Sequence, residues 1–206
     1  MSHNSLATDD PRAAFFDDRA AQWEERGYPP ETRARLQELI TCFGLESGMD
    51  ILDLGCGSGV LGPYLRAIAG QQATLVAADI SGAMVALAAG KKVYTRCHQA
   101  SAMHLPLPDS CVDAVVCFAA FPHFADKAAA LGEMGRVLRD GGLVIIAHLL
   151  SREELCRHHG GNSVVANDLL PDDATMRCLF MAAGFAAPAV VDMPGRYMAR
   201  ANKCPK

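Results

Sequence analysis

The residues best placed to do chemistry lie where an apolar run meets a glycine turn, at Ile51-Leu52-Asp53-Leu54-Gly55-Cys56-Gly57-Ser58-Gly59. The apolar residues suit a strand covered on both faces, and the glycines allow a tight turn and a close backbone approach to a ligand. Asp53 sets a carboxylate just before that turn. A buried charge requires a partner, and a cationic small molecule lying over the turn would supply one. Asp79 closes the next apolar run, at a spacing that suits a ribose hydroxyl. Two ligands compete for this arrangement. Gly57-Ser58-Gly59-Val60-Leu61-Gly62 formally matches the GxGxxG pattern of a nicotinamide dinucleotide site. A pyrophosphate there would lie against Asp53, and like charges repel strongly in a low-dielectric cleft. S-adenosylmethionine carries an ammonium and a sulfonium for Asp53 and a ribose for Asp79.

A second set of candidates is the histidines. His123 stands in Phe121-Pro122-His123-Phe124 after one predicted strand, and His148 ends another. Imidazole titrates near neutrality, so either suits a general base. His158 and His159 close a helical stretch, where a cation offsets the helix dipole. His123, His148 and one of that pair, joined by Asp168 or Cys156, would make a metal site only by long-range convergence, since no HxxxH or CxxC spacing is present. The plainer structural readings are a helix-capping role for Asp79, a small turn residue in Cys56, and core positions for Phe15, Phe16 and Trp23.

The elements that must hold these residues read as an alternation. Helical spacing predicts helices over residues 11–26 and 31–43, the second with Leu36, Leu39 and Ile40 inward. Strands are predicted at 49–54, 73–78, 93–97, 112–118 and 143–147, with helices at 60–69, 81–89 and 126–138 between them. Leu105-Pro106-Leu107-Pro108-Asp109 is a loop, and Arg139-Asp140-Gly141-Gly142 a turn. Strands alternating with helices predict a doubly wound, mostly parallel α/β sheet. The tail reads as helices at 152–159 and 172–183, Gly160-Gly161 stopping the first, then a hairpin of strands 189–193 and 196–200 about Pro194-Gly195.

Bulk properties narrow the function classes. The 206 residues suit one domain with a real core, and half are apolar, yet no uninterrupted run could span a bilayer. Residues 1–30 carry acids and no signal-type segment, so a cytoplasmic location is expected. A net charge of −4 without a basic patch argues against nucleic acid as partner. The eight cysteines form no CxxC pair and suit a reducing compartment. No internal repeat or domain boundary is visible.

The motif ILDLGCGSG, with AADIS around Asp79, SAMHLPLPDSCVDAVVC from Ser101 and EMGRVLRDGGLVII from Glu133, resembles the class I S-adenosylmethionine-dependent methyltransferases. Within them it is similar to the ubiquinone/menaquinone C-methyltransferase-like (type 11) subgroup, over roughly residues 45–150. The resemblance implies a Rossmann-like sheet of seven strands with one antiparallel strand in a C-terminal hairpin. It divides a single domain into an N-terminal helical lid (1–45), a cofactor core (46–150) and acceptor-side helices with the hairpin (151–206). Asp53 and Gly55 would face the methionine part, Gly57 would admit the backbone, and Cys56 and Gly59 would complete the cofactor turn. Asp79 would bind the ribose, Ile80 the adenine face, Ser101, Ala102 and Met103 the adenine edge, and Cys117 and Phe118 the methionine chain. Ser101 stands where the subgroup usually carries Asp, and a hydroxyl is the weaker acceptor. The expected reaction is in-line methyl transfer to a small-molecule acceptor, with His123 or His148 as base, in a monomer or homodimer. A nicotinamide oxidoreductase and a non-catalytic cofactor or metal sensor are the alternatives.

Overall fold

The computed structural model describes residues 10–159 and 168–205, with the side chains of His158 and His159 also outside the description. The expectations for residues 1–9, for Gly160-Gly161 and for those two histidines as ligands therefore lie outside the described residues. Seven strands form one sheet: β1 (Ile51–Leu54), β2 (Leu75–Asp79), β3 (Arg96–Gln99), β4 (Val112–Phe118), β5 (Leu138–His148), β6 (Phe185–Met193) and β7 (Arg196–Lys203). Their order is β3-β2-β1-β4-β5-β7-β6. β7 alone runs antiparallel, against both β5 and β6. Chain order reverses between β1 and β4, so the crevice above the carboxyl end of β1 is the switch point where such sheets bind ligands.

All four residues of β1 are buried. Strand periodicity sends alternate side chains to opposite faces. Leu52, Leu54, Val115 and Cys117 join one core, with Leu131 and Met134 of α6 (Lys127–Val137) and Met176 and Phe180 of α8 (Asp173–Ala182). Ile51, Ala114, Val116 and Phe118 join the other, with Leu36 and Leu39 of α3 (Pro30–Ile40) and Leu65 of α4 (Gly62–Ala69). α5 (Gly82–Gly90) follows β2, and α7 (Arg152–His159) follows β5. Among the described residues no helix is long and apolar enough to cross a membrane.

Four elements depart from the sequence expectation, each for a tertiary reason. The first helix is broken into α1 (Pro11–Asp17), a 3-10 turn (Ala20–Gln22) and α2 (Trp23–Gly27). Asp17 is drawn onto the start of α5, which turns the chain there. The third strand begins at Arg96 rather than 93 because Tyr94 turns inward to Asp53. Residues 139–142 bulge within β5 instead of preceding it: Val112 pairs with Leu138 and Ala114 with Leu143, while Arg139 grips Asp50 and Asp113. The hairpin strands are longer than expected, since pairing continues to Phe185↔Lys203 past an irregularity where Ala187 takes φ 51°.

Candidate functional site

A cleft of about 870 Å³, open to solvent, lies over the carboxyl ends of β1 and β2. Its lining brings together Asp53, Gly55, Cys56, Gly57, Asp79, Ile80, Ser101, Ala102, Met103, Phe118 and His123. Gly59, Cys117 and His148 do not line it.

Asp53 is the floor, only 1% exposed. Burial pushes its carboxyl up to about 7, the Tyr94 hydroxyl donating to Oδ2 at 2.6 Å opposes that rise, and Asp79 adds repulsion. Among the described residues no cationic side chain contributes. The partner expected for this carboxylate is thus half supplied by a neutral tyrosine. Tyr94 itself is pushed far up by burial and by the facing Asp53, so it stays a donor. The glycines divide into separate tasks. A Cβ on Gly55, at φ 70°, would stand 2.2 Å from the Ala120 Cβ. A Cβ on Gly59 would meet the Ala88 Cα at 3.0 Å, so this glycine admits α5 rather than ligand. At Gly62 a Cβ would lie 2.7 Å from the Tyr94 ring and hydroxyl. The last glycine of the apparent GxGxxG therefore makes room for the tyrosine that holds Asp53.

Asp79 receives the Gly57 N–H on Oδ2 at 2.8 Å and the Ser81 N–H on Oδ1 at 2.9 Å. Burial nonetheless keeps its pKa above the usual value. The helix cap of α5 is Ser81, whose Oγ accepts from Met84 N, so Asp79 is not the capping residue. Each carboxylate oxygen keeps a second acceptor position for a hydroxyl. Ile80, Ala102 and Met103 form one wall. The Ser101 hydroxyl accepts from Met103 N at 3.3 Å, turned to its own loop. Arg136 braces the loop that follows through the Leu105 and Leu107 carbonyls. Phe118 faces the cleft, whereas strand alternation sends Cys117 into the opposite core, fully buried. That corrects the expectation that both close on the ligand.

The N-terminal helices roof the cleft with Arg12, Phe16, Trp23 and Tyr28. Asp17 accepts from the Ser81 hydroxyl at 2.5 Å and from Ala83 N at 3.0 Å. Glu24 accepts from Ser58 Oγ at 2.8 Å and pairs with Lys91 at 2.6 Å and Arg33 at 3.1 Å. Against its burial, those bonds lower the Glu24 pKa. The roof is thus tied to the glycine turn through Ser58.

His123 sits in a 3-10 turn (Phe121–His123) and lines the cleft. Its Nδ1 lies 2.9 Å from Asp168 Oδ2, and Arg12 donates to both oxygens of Asp168 at 3.1 and 2.7 Å. His148 lies outside the cleft: its Nδ1 accepts from Leu150 N at 2.9 Å, and its residue pairs with Tyr197 in the sheet. It is withdrawn as a candidate base. Among the described residues no group of three His, Cys, Asp or Glu side chains could hold a metal ion. Sequence reading missed Tyr94, Glu24 and the Arg12–Asp168 pair, whose partners lie 41, 34 and 156 residues away in the chain.

The arrangement offers a buried carboxyl that a cation would ionise, a hydroxyl-accepting acid beside it and an imidazole, all in the lining of one cleft. A family model described as a methyltransferase domain matches residues 52–146. The chain is 34% identical over 138 residues to malonyl-[acyl-carrier protein] O-methyltransferase of Pectobacterium atrosepticum, covering 67% of this chain and 50% of that protein. It is 27% identical over 195 residues to the ubiquinone/menaquinone biosynthesis C-methyltransferase of Saccharophagus degradans, covering 79% and 77% respectively. The chain thus spans half the length of the first relative and about three quarters of the second. The solved DhpI–SAH complex shares the fold, with a TM-score of 0.75 at 20% identity over the full length of both chains. Motifs, sheet order and relatives agree in making the chain similar to the class I S-adenosylmethionine-dependent methyltransferases of the type 11 group.

Proposed function

We propose that this protein transfers the methyl group of S-adenosylmethionine to a small-molecule acceptor by in-line displacement. The observation that carries the reading is Asp53, a fully buried carboxylate with no cationic side chain beside it among the described residues, opening into the cleft beside Asp79. A ligand bringing both a positive charge and ribose hydroxyls answers both acids at once. Gly55, Cys56 and Gly57 would border the methionine part, and Ile80, Ser101, Ala102 and Met103 the adenine. Asp79 would accept the ribose hydroxyls. The residues present fit the cofactor, since Asp53 lacks the cation that the cofactor supplies.

The cofactor brings an already activated methyl group. The chain's contribution is to hold the acceptor in line with it, and orientation of this kind is worth about 7–11 kcal/mol. Phe16, Trp23 and Tyr28 present apolar surface to the cleft, which favours dispersal of the sulfonium charge. Where the acceptor still holds its proton, His123 would take it as methyl transfer proceeds. The acceptor then leaves methylated, and His123 passes the proton to water. The eight cysteines form no disulfide, which suits a reducing cytoplasm. We place the lid in residues 1–45 and acceptor selection in residues 119–125 and 148–175, in a monomer or homodimer.

Calorimetric titration with S-adenosylmethionine, S-adenosylhomocysteine and NAD tests this directly. The first two should bind and NAD should not. NAD binding alone would restore the oxidoreductase alternative, and binding of none would remove the cofactor role of Asp53.

A further inference from the structure

We infer that Asp168 is a positioning residue for His123, and that Arg12 of the roof helix α1 holds it in place, so that roof and base assemble together. The inference rests on the methyl-transfer reading for its purpose, though not for its geometry. Asp168 is 4% exposed and precedes α8, far in sequence from either partner. Its Oδ2 lies 2.9 Å from His123 Nδ1, and Arg12 clamps both its oxygens from α1. A buried carboxylate held in this way stays ionised: against burial, the bonds from His123 and Arg12 hold its pKa well below the carboxylate range. An ionised carboxylate can only accept, so the Nδ1 facing it carries a hydrogen. A neutral imidazole with hydrogen on Nδ1 has its lone pair on Nε2, the form a base requires.

Other contacts fix the ring. Phe16 packs edge-on against His123, with centroids 5.2 Å apart. Lys127 donates to the Pro122 and Phe124 carbonyls at 2.9 and 3.3 Å, bracing the turn that carries the histidine. Phe16 and Arg12 both belong to α1. A displaced α1 would therefore remove the ring contact and the clamp on Asp168 together. A purely structural ion pair between α1 and the tail would need Arg12 and Asp168 but not a histidine in the cleft lining.

The test is long-range proton–nitrogen NMR of the histidine side chains in the full chain, free and saturated with S-adenosylhomocysteine. In its neutral form His123 should carry its hydrogen on Nδ1 alone. Asp168→Asn should lose that single-tautomer pattern, Asp168→Glu should restore it, and Arg12→Gln should weaken it. A neutral His123 with its hydrogen on Nε2 in the unaltered protein would overturn the inference without any variant having to fold. A pattern indifferent to both Asp168→Asn and Arg12→Gln would also overturn it. Failure of S-adenosylhomocysteine to bind would instead sink the methyl-transfer reading, and the free protein would still report the tautomer.

Discussion

Asp53 is held in an unfavourable state until a cation arrives. Its pKa of about 7 comes mainly from burial, so the empty site holds a large share of neutral carboxyl near neutrality. A bound sulfonium and ammonium favour the ionised form, and binding must then release a proton. S-adenosylmethionine affinity should therefore rise between about pH 6 and pH 8, and calorimetric enthalpies near pH 6.5 should vary with the ionisation heat of the buffer. Buffer-independent enthalpies would show that Asp53 is already ionised or is not the partner. Asp53→Asn should cost roughly ten- to a hundredfold in cofactor affinity, the scale of a lost hydrogen bond to a charged group. Tyr94→Phe removes the bond that lowers the Asp53 pKa, so the midpoint of the affinity rise should move to higher pH. Asp53 and Asp79 were legible in the sequence because each ends an apolar run at a glycine or helix start. Tyr94 was not, because its role depends on a contact 41 residues back and on the space left by Gly62.

At the scale of elements, the roof is held by a few polar contacts more than by a broad apolar face. α1 buries only Ala13, and α2 buries none of its residues. Asp17 instead sits at the positive end of α5, taking a hydroxyl and a backbone N–H there. Asp17→Ala should raise hydrogen exchange of residues 11–27 by about tenfold and speed S-adenosylhomocysteine release, with little change in the melting of the sheet. Unchanged exchange would mean that Trp23 and Tyr28 hold the roof unaided. The same logic explains what sequence reading got wrong. Periodicity located α3, α6 and β4 to within a few residues, because their apolar faces are set by burial against the sheet. It ran one helix from 11 to 26 because the break at Asp17 is imposed by Ser81, which periodicity cannot see. Bulging of residues 139–142 likewise depends on Arg139 reaching Asp50 and Asp113.

Across the whole molecule, long-range bonds tie the N-terminal helices to the tail and the tail to itself. Arg12 meets Asp168, Arg35 donates to the Leu149 and Gly195 carbonyls, and the Tyr197 hydroxyl donates to Pro171 O. Glu154 accepts from Gly195 N and Ser151 N, which holds its pKa down at about 2. These carboxylates and Asp53 pull stability in opposite directions with pH. Glu154 and Asp168 have folded pKa values below their unfolded ones, so they add stability above about pH 4.5 that is lost as pH falls. Asp53 has a raised folded pKa, so its folded form binds more protons than the unfolded chain. Its contribution is present below about pH 4 and is lost as pH rises through about 7. The ligand-free protein should therefore melt highest in the mildly acidic range, between about pH 4.5 and 6, and weaken toward pH 8. Saturating S-adenosylmethionine supplies the missing cation, and its stabilising effect should be larger at about pH 8 than at pH 5.5, which flattens the alkaline side of the profile. Asp53→Asn should flatten that side without ligand. Thermal melts across this range, with and without the cofactor, measure all three curves, and parallel free and bound profiles would show that the cofactor does not meet its charge at Asp53.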